Sequence, residues 1–176
     1  MSLVRQFVTW DATISQKLRV AEKPGLLRSL AILFAHSGDS WLWLIGLALL
    51  WWGGGDFWRE KAPIYLGSIL ITAVLVMAIK FTVRRRRPEG EWGSIYRNTD
   101  PHSFPSGHAV RAILLAVLAV ALGPGWFGAA LWIWAPLVVL ARVAMGLHFL
   151  SDVLAGAVLG LVVGGVITIL LPTLPL

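Results

Sequence analysis

Three short stretches carry residue types that can do chemistry together. Lys80 and Arg87 stand just before Pro88 with six residues between them. Pro105-Ser106-Gly107-His108 opens an apolar run. Arg142, His148 and Asp152 follow with five and three residues between them. His148 and Asp152, four apart, share one face if they lie on a helix. A carboxylate bonded to one imidazole nitrogen fixes the tautomer and raises the basicity of the other, which suits a nucleophile or base. At Ser106–His108 the free N–H groups and dipole of a helix start make an anion site. Ser106 adds a hydroxyl donor, Gly107 permits close approach to the backbone, and His108 donates a proton near neutral pH. Lys80 reads as a cation one to two turns inside a membrane span, where an ionisable group signals function unless it snorkels to the interface.

Each stretch alone has a bland reading as a helix cap, an interface histidine or a snorkelling lysine. Together they bring three cations, two histidines, a carboxylate and a helix N-terminus, which calls for a multiply charged oxyanion such as phosphate. His148 and Asp152 are too few to ligate a metal. The chemistry is expected to be metal-independent and to need no cofactor.

The elements that must position these groups are membrane helices. Apolar residues make up 57% of the 176 and charged ones 14%, against about 25% charged in soluble domains. Spans are expected over 40–52, 62–83, 106–122, 126–144 and about 150–171. Residues 26–34 are too short to cross alone and either continue the N-terminal segment or join a tilted span. Trp41 and Trp43 at one end of 40–52, and Trp51 and Trp52 at the other, fit an aromatic-belt pattern. Residues 3–20 mix apolar and polar positions as an interfacial amphipathic helix. The first 24 residues contain no apolar leader core. The expected fold is an all-α integral membrane bundle of five to six transmembrane helices. Residues 1–25 form its amphipathic N-terminal segment and 26–176 the membrane-embedded domain. Gly156, Gly160 and Gly164 recur every fourth residue, as in closely packed helices. The chain has no cysteine, which excludes disulfides and thiolate chemistry. Alternating the spans places all three stretches, and 36–40, at a single membrane face.

The net charge of +6 is concentrated in Arg84–Arg87. That run abuts a span and lacks a second basic patch with interleaved aromatics, so phosphate-bearing lipid, not nucleic acid, is the expected partner. Lys80-x6-Arg87-Pro88, Pro105-Ser106-Gly107-His108 and Arg142-x5-His148-x3-Asp152 resemble the three-part signature of the type 2 phosphatidic acid phosphatase family. These lipid phosphate phosphatases share their site with vanadium haloperoxidases. The resemblance implies that His148 attacks phosphorus to form a phosphohistidine, with Asp152 orienting it. His108 then protonates the leaving oxygen, and Lys80, Arg87, Ser106, Gly107 and Arg142 hold the phosphoryl oxygens. Ala141 departs from the family's usual serine and removes a possible hydroxyl contact.

The other polar residues carry less. Arg84, Arg85 and Arg86 attract headgroups or form a solvated collar. Glu89, Glu91, Tyr96 and Arg97 read as plain loop before a role in shaping the headgroup pocket, His36 and His102 as surface residues, and Asp39 as a helix cap. The loop arginines alone would put the site in the cytoplasm, whereas the resemblance implies an inner-membrane protein with an extracytoplasmic site. Undecaprenyl diphosphate, phosphatidic acid, phosphatidylglycerol phosphate or a similar lipid is the expected substrate. Three further readings stay open: a lipid-phosphate or anion transporter on the same fold, a vanadate-dependent oxidoreductase, and a membrane scaffold. The sequence does not specify the oligomeric state.

Overall fold

The structure is a computed structural model that describes residues 3–21, 23–90, 92 and 100–171. Among them it contains seven helices and no strand. These are α1 (Leu3–Lys17), α2 (Leu26–Ser37), α3 (Ser40–Gly53), α4 (Gly55–Val83), α5 (Gly107–Leu122), α6 (Gly125–Ala144) and α7 (Leu150–Leu170). Three are long and apolar enough to cross a membrane: α4, α6 and α7. α2 and α3 qualify only together, as a broken span or a re-entrant loop bent by 57°. Residues 26–37 therefore pair with 40–53 rather than extend α1.

The break lies inside the bundle. Gly38 sits so close to α6 and α5 that a Cβ there would meet Val138 Cγ1 at 2.9 Å and His108 Cδ2 at 3.2 Å. Trp43 is consequently not a belt residue. Its indole donates to the Ser37 carbonyl at 3.0 Å, and its ring packs on Trp134 with centroids 5.0 Å apart.

α5 is the centre of the fold. Nine of its residues are buried, from Ala109 to Ala119. Its 16 residues make a rod of about 24 Å, shorter than the roughly 30 Å apolar thickness of a bilayer. It is therefore too short to cross that thickness alone. The glycine stripe of α7 packs on it as expected. A Cβ at Gly160 would stand 2.5 Å from the Val110 carbonyl oxygen, and one at Gly156 2.7 Å from that of Ser106. Only a hydrogen fits between these backbones.

Two helix ends fall where the spans were expected to end, and they decide how the site residues are placed. α4 stops at Val83, short of Arg87, with Arg84 in the left-handed region at φ 52°. Lys80 and Arg87 thus do not share a helix face, because Arg87 lies on the extended chain beyond the turn. α7 starts at Leu150, so His148 precedes the helix that carries Asp152. Gly146, at φ 67°, makes the intervening turn in a conformation that favours glycine.

Candidate active site

The Arg142 carbonyl at the end of α6 accepts the N–H groups of Leu147 and His148 at 3.0 and 3.2 Å. This brings the histidine back beside the last turn of α6. Its Nδ1 lies 3.6 Å from Asp152 Oδ2. Arg87 Nη1 stands 3.1 Å from Nε2, and because arginine only donates, Nε2 is the acceptor. The proton therefore sits on Nδ1, which faces the carboxylate but makes no hydrogen bond among the described residues. His148 is 2% exposed and Asp152 0%. Asp152 also accepts the Phe149 N–H at 2.9 Å. Asp152 thus caps the start of α7 while its carboxylate faces His148.

Around this pair the sequence-expected cations assemble. Lys80, Arg87 and Arg142 are all at least 95% buried. Asp100 bridges two of them, accepting from Lys80 Nζ and, at 2.7 Å, from Arg87 Nη2. Burial alone would raise the Asp100 carboxyl. The Lys80 hydrogen bond and the charges of Lys80 and Arg87 outweigh it and hold the group below the ordinary carboxylate range. Burial lowers His148 well below the usual histidine value, and the charges of Arg87, Arg142 and Lys80 lower it further. The imidazole is neutral at neutral pH, as a nucleophile must be.

Ser106 is the N-cap of α5. It is fully buried, and its hydroxyl has no hydrogen-bond partner among the described residues. Its own N–H donates to the Asp152 carbonyl at 3.0 Å, fastening the start of α5 to α7. Gly107 and His108 open the helix and line a cavity of about 220 Å³ together with Lys80, Asp100, Arg111 and His148. Ile69, Val76 and Met77 of α4 form an apolar wall of the same cavity.

Several residues stand elsewhere than the sequence suggested. Asp39 makes no capping hydrogen bond at α3. Its carboxylate accepts from His108 Nε2 at 2.7 Å and meets His36 Nδ1 at 3.2 Å. His36 is thus tied to the site's edge. Arg85 does not belong to a solvated collar: it donates to Asp152 Oδ1 at 2.8 Å and to Asp11 Oδ2 at 2.6 Å. Arg84 and Arg86 are exposed, as are the side chains expected of such a collar. Ala141 packs among Ala31, Ala35 and Met145, so its methyl faces α2 and not the phosphate cradle. His102 stacks edge-on against Phe81, with centroids 5.8 Å apart. Glu89 is exposed. Glu91, Tyr96 and Arg97 lie outside the described residues.

The family model described as PAP2 superfamily matches residues 61–175. The chain belongs to the PAP2 superfamily. A PAP2 relative from Mycobacterium tuberculosis, decaprenylphosphoryl-5-phosphoribose phosphatase, is 30% identical over 84% of this chain and 82% of its own length. The undecaprenyl-diphosphatase of Sulfolobus acidocaldarius is 33% identical over 76% of this chain and 66% of its own. Among solved structures, the transmembrane PAP2-type phosphatidylglycerolphosphate phosphatase of Bacillus subtilis superposes with a TM-score of 0.77. It covers 99% of this chain and 89% of its own at 24% identity, and so shares the fold. The chain is a membrane-embedded PAP2 enzyme, a lipid phosphatase by family.

Proposed function

We propose that this phosphatase removes the terminal phosphate of a membrane lipid phosphate, without a metal, through a phosphohistidine on His148. One observation carries the reading. Lys80 and Arg87, beside the neutral acceptor nitrogen of His148, converge on a single anionic group, the carboxylate of Asp100. A cradle that holds a carboxylate between two cations suits a phosphoryl group, with Arg142, Ser106 and the amide of Gly107 as further donors. Asp152 supports Nδ1 while Nε2 attacks phosphorus. The P–N bond forms as the P–O bond to the lipid breaks, and His108 gives its proton to the departing oxygen. Water, deprotonated by His108, then cleaves the P–N bond and releases inorganic phosphate.

The apolar α4 wall of the cavity favours a substrate with an acyl or prenyl chain at headgroup depth. Undecaprenyl diphosphate, phosphatidic acid and phosphatidylglycerol phosphate are the candidates. Residues 26–176 are the phosphatase domain, and 1–25 its amphipathic segment. The protein resides in the cytoplasmic membrane with its site on the extracytoplasmic side, where the arginines serve the substrate rather than topology.

The test is phosphate release from these three lipids by detergent-purified protein in EDTA, with His148→Ala alongside. Release that the variant abolishes supports the histidine mechanism, and the panel ranks the substrates. A folded wild type that releases nothing, or a variant that still turns over, overturns it.

A further inference from the structure

The N-terminal helix is amphipathic with its polar face turned inward. Leu3, Phe7, Val8 and Trp10 are exposed, while Asp11 and Ser15 are each 1% exposed. A carboxylate is costly to bury unless it is paired, so the partners of Asp11 show what the helix is fitted to. Ser15 Oγ accepts the Leu150 N–H at 2.8 Å, and Asp11 Oδ1 accepts the Ser151 N–H at 3.0 Å. α1 therefore supplies side-chain acceptors to the first two residues of α7, whose own turn leaves those donors unmatched.

Capping does not explain the other carboxylate oxygen. Asp11 Oδ2 accepts from Arg85 Nη2 at 2.6 Å and from Ser151 Oγ. The other arm of the same guanidinium, Nη1, donates to Asp152 Oδ1 at 2.8 Å and to Ser151 Oγ at 2.6 Å. The guanidinium also lies 4.0 Å over the ring of Phe149. Arg85 is thus held on three sides, with a carboxylate on each arm. One of these is the partner of His148.

We propose that Asp11, acting through Arg85, is a positioning residue for Asp152, so that helix α1 completes the support of the nucleophile. This rests on His148 being the nucleophile and Asp152 its orienting group. Asp11 shares the guanidinium and so keeps Arg85 from neutralising Asp152 alone. Three groups carrying two negative charges and one positive leave Asp152 able to polarise His148. The other charged groups facing His148 are Lys80 of α4, Arg87 and Asp100 of the following segment, and Arg142 of α6. None of them is altered in the variants below.

The test is the pH profile of kcat/KM for phosphate release from phosphatidic acid and undecaprenyl diphosphate in detergent micelles. It compares full-length wild type, Asp11→Asn, Arg85→Gln, Ser15→Ala and His148→Ala. Asp11→Asn leaves Arg85 wholly to Asp152, so the acidic limb moves to lower pH by about half a unit or more. It also lowers kcat by about tenfold at nearly constant KM, as slight misplacement of a catalytic group does. Arg85→Gln removes the counter-charge and moves the same limb to higher pH. Ser15→Ala, which loses only a cap, lowers the melting temperature and leaves the limb in place. Opposite displacements in the first two variants support the proposal, and either variant reads it independently should the other fail to fold. Limbs that coincide with wild type while His148→Ala is inactive overturn the proposal and make α1 a structural clamp. A wild type inactive on both lipids, or an active His148→Ala, overturns the reading beneath it.

Discussion

His108 donates from Nε2 to the carboxylate of Asp39 at 2.7 Å, across 69 positions of sequence. The pair joins the start of α5 to the break between α2 and α3, and leaves Nδ1 of His108 to exchange the proton. A carboxylate on the far nitrogen stabilises the doubly protonated ring that a general acid must become. Asp39→Asn is expected to slow phosphatidic acid hydrolysis by about 10- to 100-fold, within the usual range for acid–base catalysis. Turnover of p-nitrophenyl phosphate, whose leaving group needs no proton, should fall much less. An equal loss on both substrates would show that Asp39 does not serve the proton transfer.

His148→Ala should abolish turnover, and Asp152→Asn should lower kcat by roughly 100- to 10,000-fold with the fold intact. The latter follows from misorienting the imidazole and losing its counter-charge. Rapid-quench labelling with a radioactive lipid phosphate checks the step directly. Acid-labile, base-stable label should appear on wild type and be absent from His148→Ala.

The lowered His148 value sets a stability slope. The unfolded chain takes up a proton at this residue near pH 6.5, whereas the folded protein resists it through burial and the nearby cations. Between the lowered folded value and about 6.5 the unfolded state holds more protons, so stability rises with pH there. The contribution is full above about pH 6.5 and is lost as pH falls through the folded value. Melting followed by tryptophan fluorescence in detergent should show this slope, and His148→Gln should flatten it. An unchanged slope in the variant would assign it to another group.

Asp100 occupies the bonds that Lys80 and Arg87 would offer an oxyanion. Removing that internal competitor in Asp100→Asn should tighten inhibition by orthovanadate or inorganic phosphate about tenfold, equivalent to about 1.4 kcal/mol. Part of the folded-state stability should be lost, since two buried cations are left less well matched. Weaker inhibition would mean that Asp100 orients the cations rather than competes for them.

Gly160 is far from any reacting atom, yet a Cβ there would meet the Val110 carbonyl oxygen at 2.5 Å. Gly160→Val should cost about 1–3 kcal/mol, as overpacking does, and reduce activity by spreading α5 from α7. Gly165, with nothing within 4 Å of its Cβ position, is the control. Gly165→Ala should melt and turn over as wild type does.

Much of the site was legible because its members sit at element boundaries with characteristic chemistry. Ser106–His108 announce a helix start, and the three glycines of α7 announce a close neighbour. The remainder depended on where the chain goes after a helix ends. Arg84–Arg87 are four identical side chains, and only the left-handed Arg84 decides that Arg85 and Arg87 turn inward while Arg86 stays exposed. Asp100 is a loop aspartate whose meaning lies in two cations 20 and 13 residues before it. Asp39, between two apolar stretches, has the local signature of a cap. Its second reading appears only once the break is seen to lie inside the bundle. Asp11 was not singled out, because the polar face of an interfacial helix ordinarily meets water. Its spacing of four from Ser15 was the available signal that one face is polar.

The partners of α1 also fix an order of events in making the protein. Asp11 must wait for Arg85, and then for Ser151, which lies 140 positions further along the chain. A helix made before both of them is therefore locked in place only after α7 exists. Until α7 has been made, the Ser151 half of Asp11's bonding is missing and Arg85 lacks the Asp152 carboxylate on its other arm. A chain that stalls before α7 leaves that helix without the bonds from Leu150 and Ser151 that tie it to the bundle.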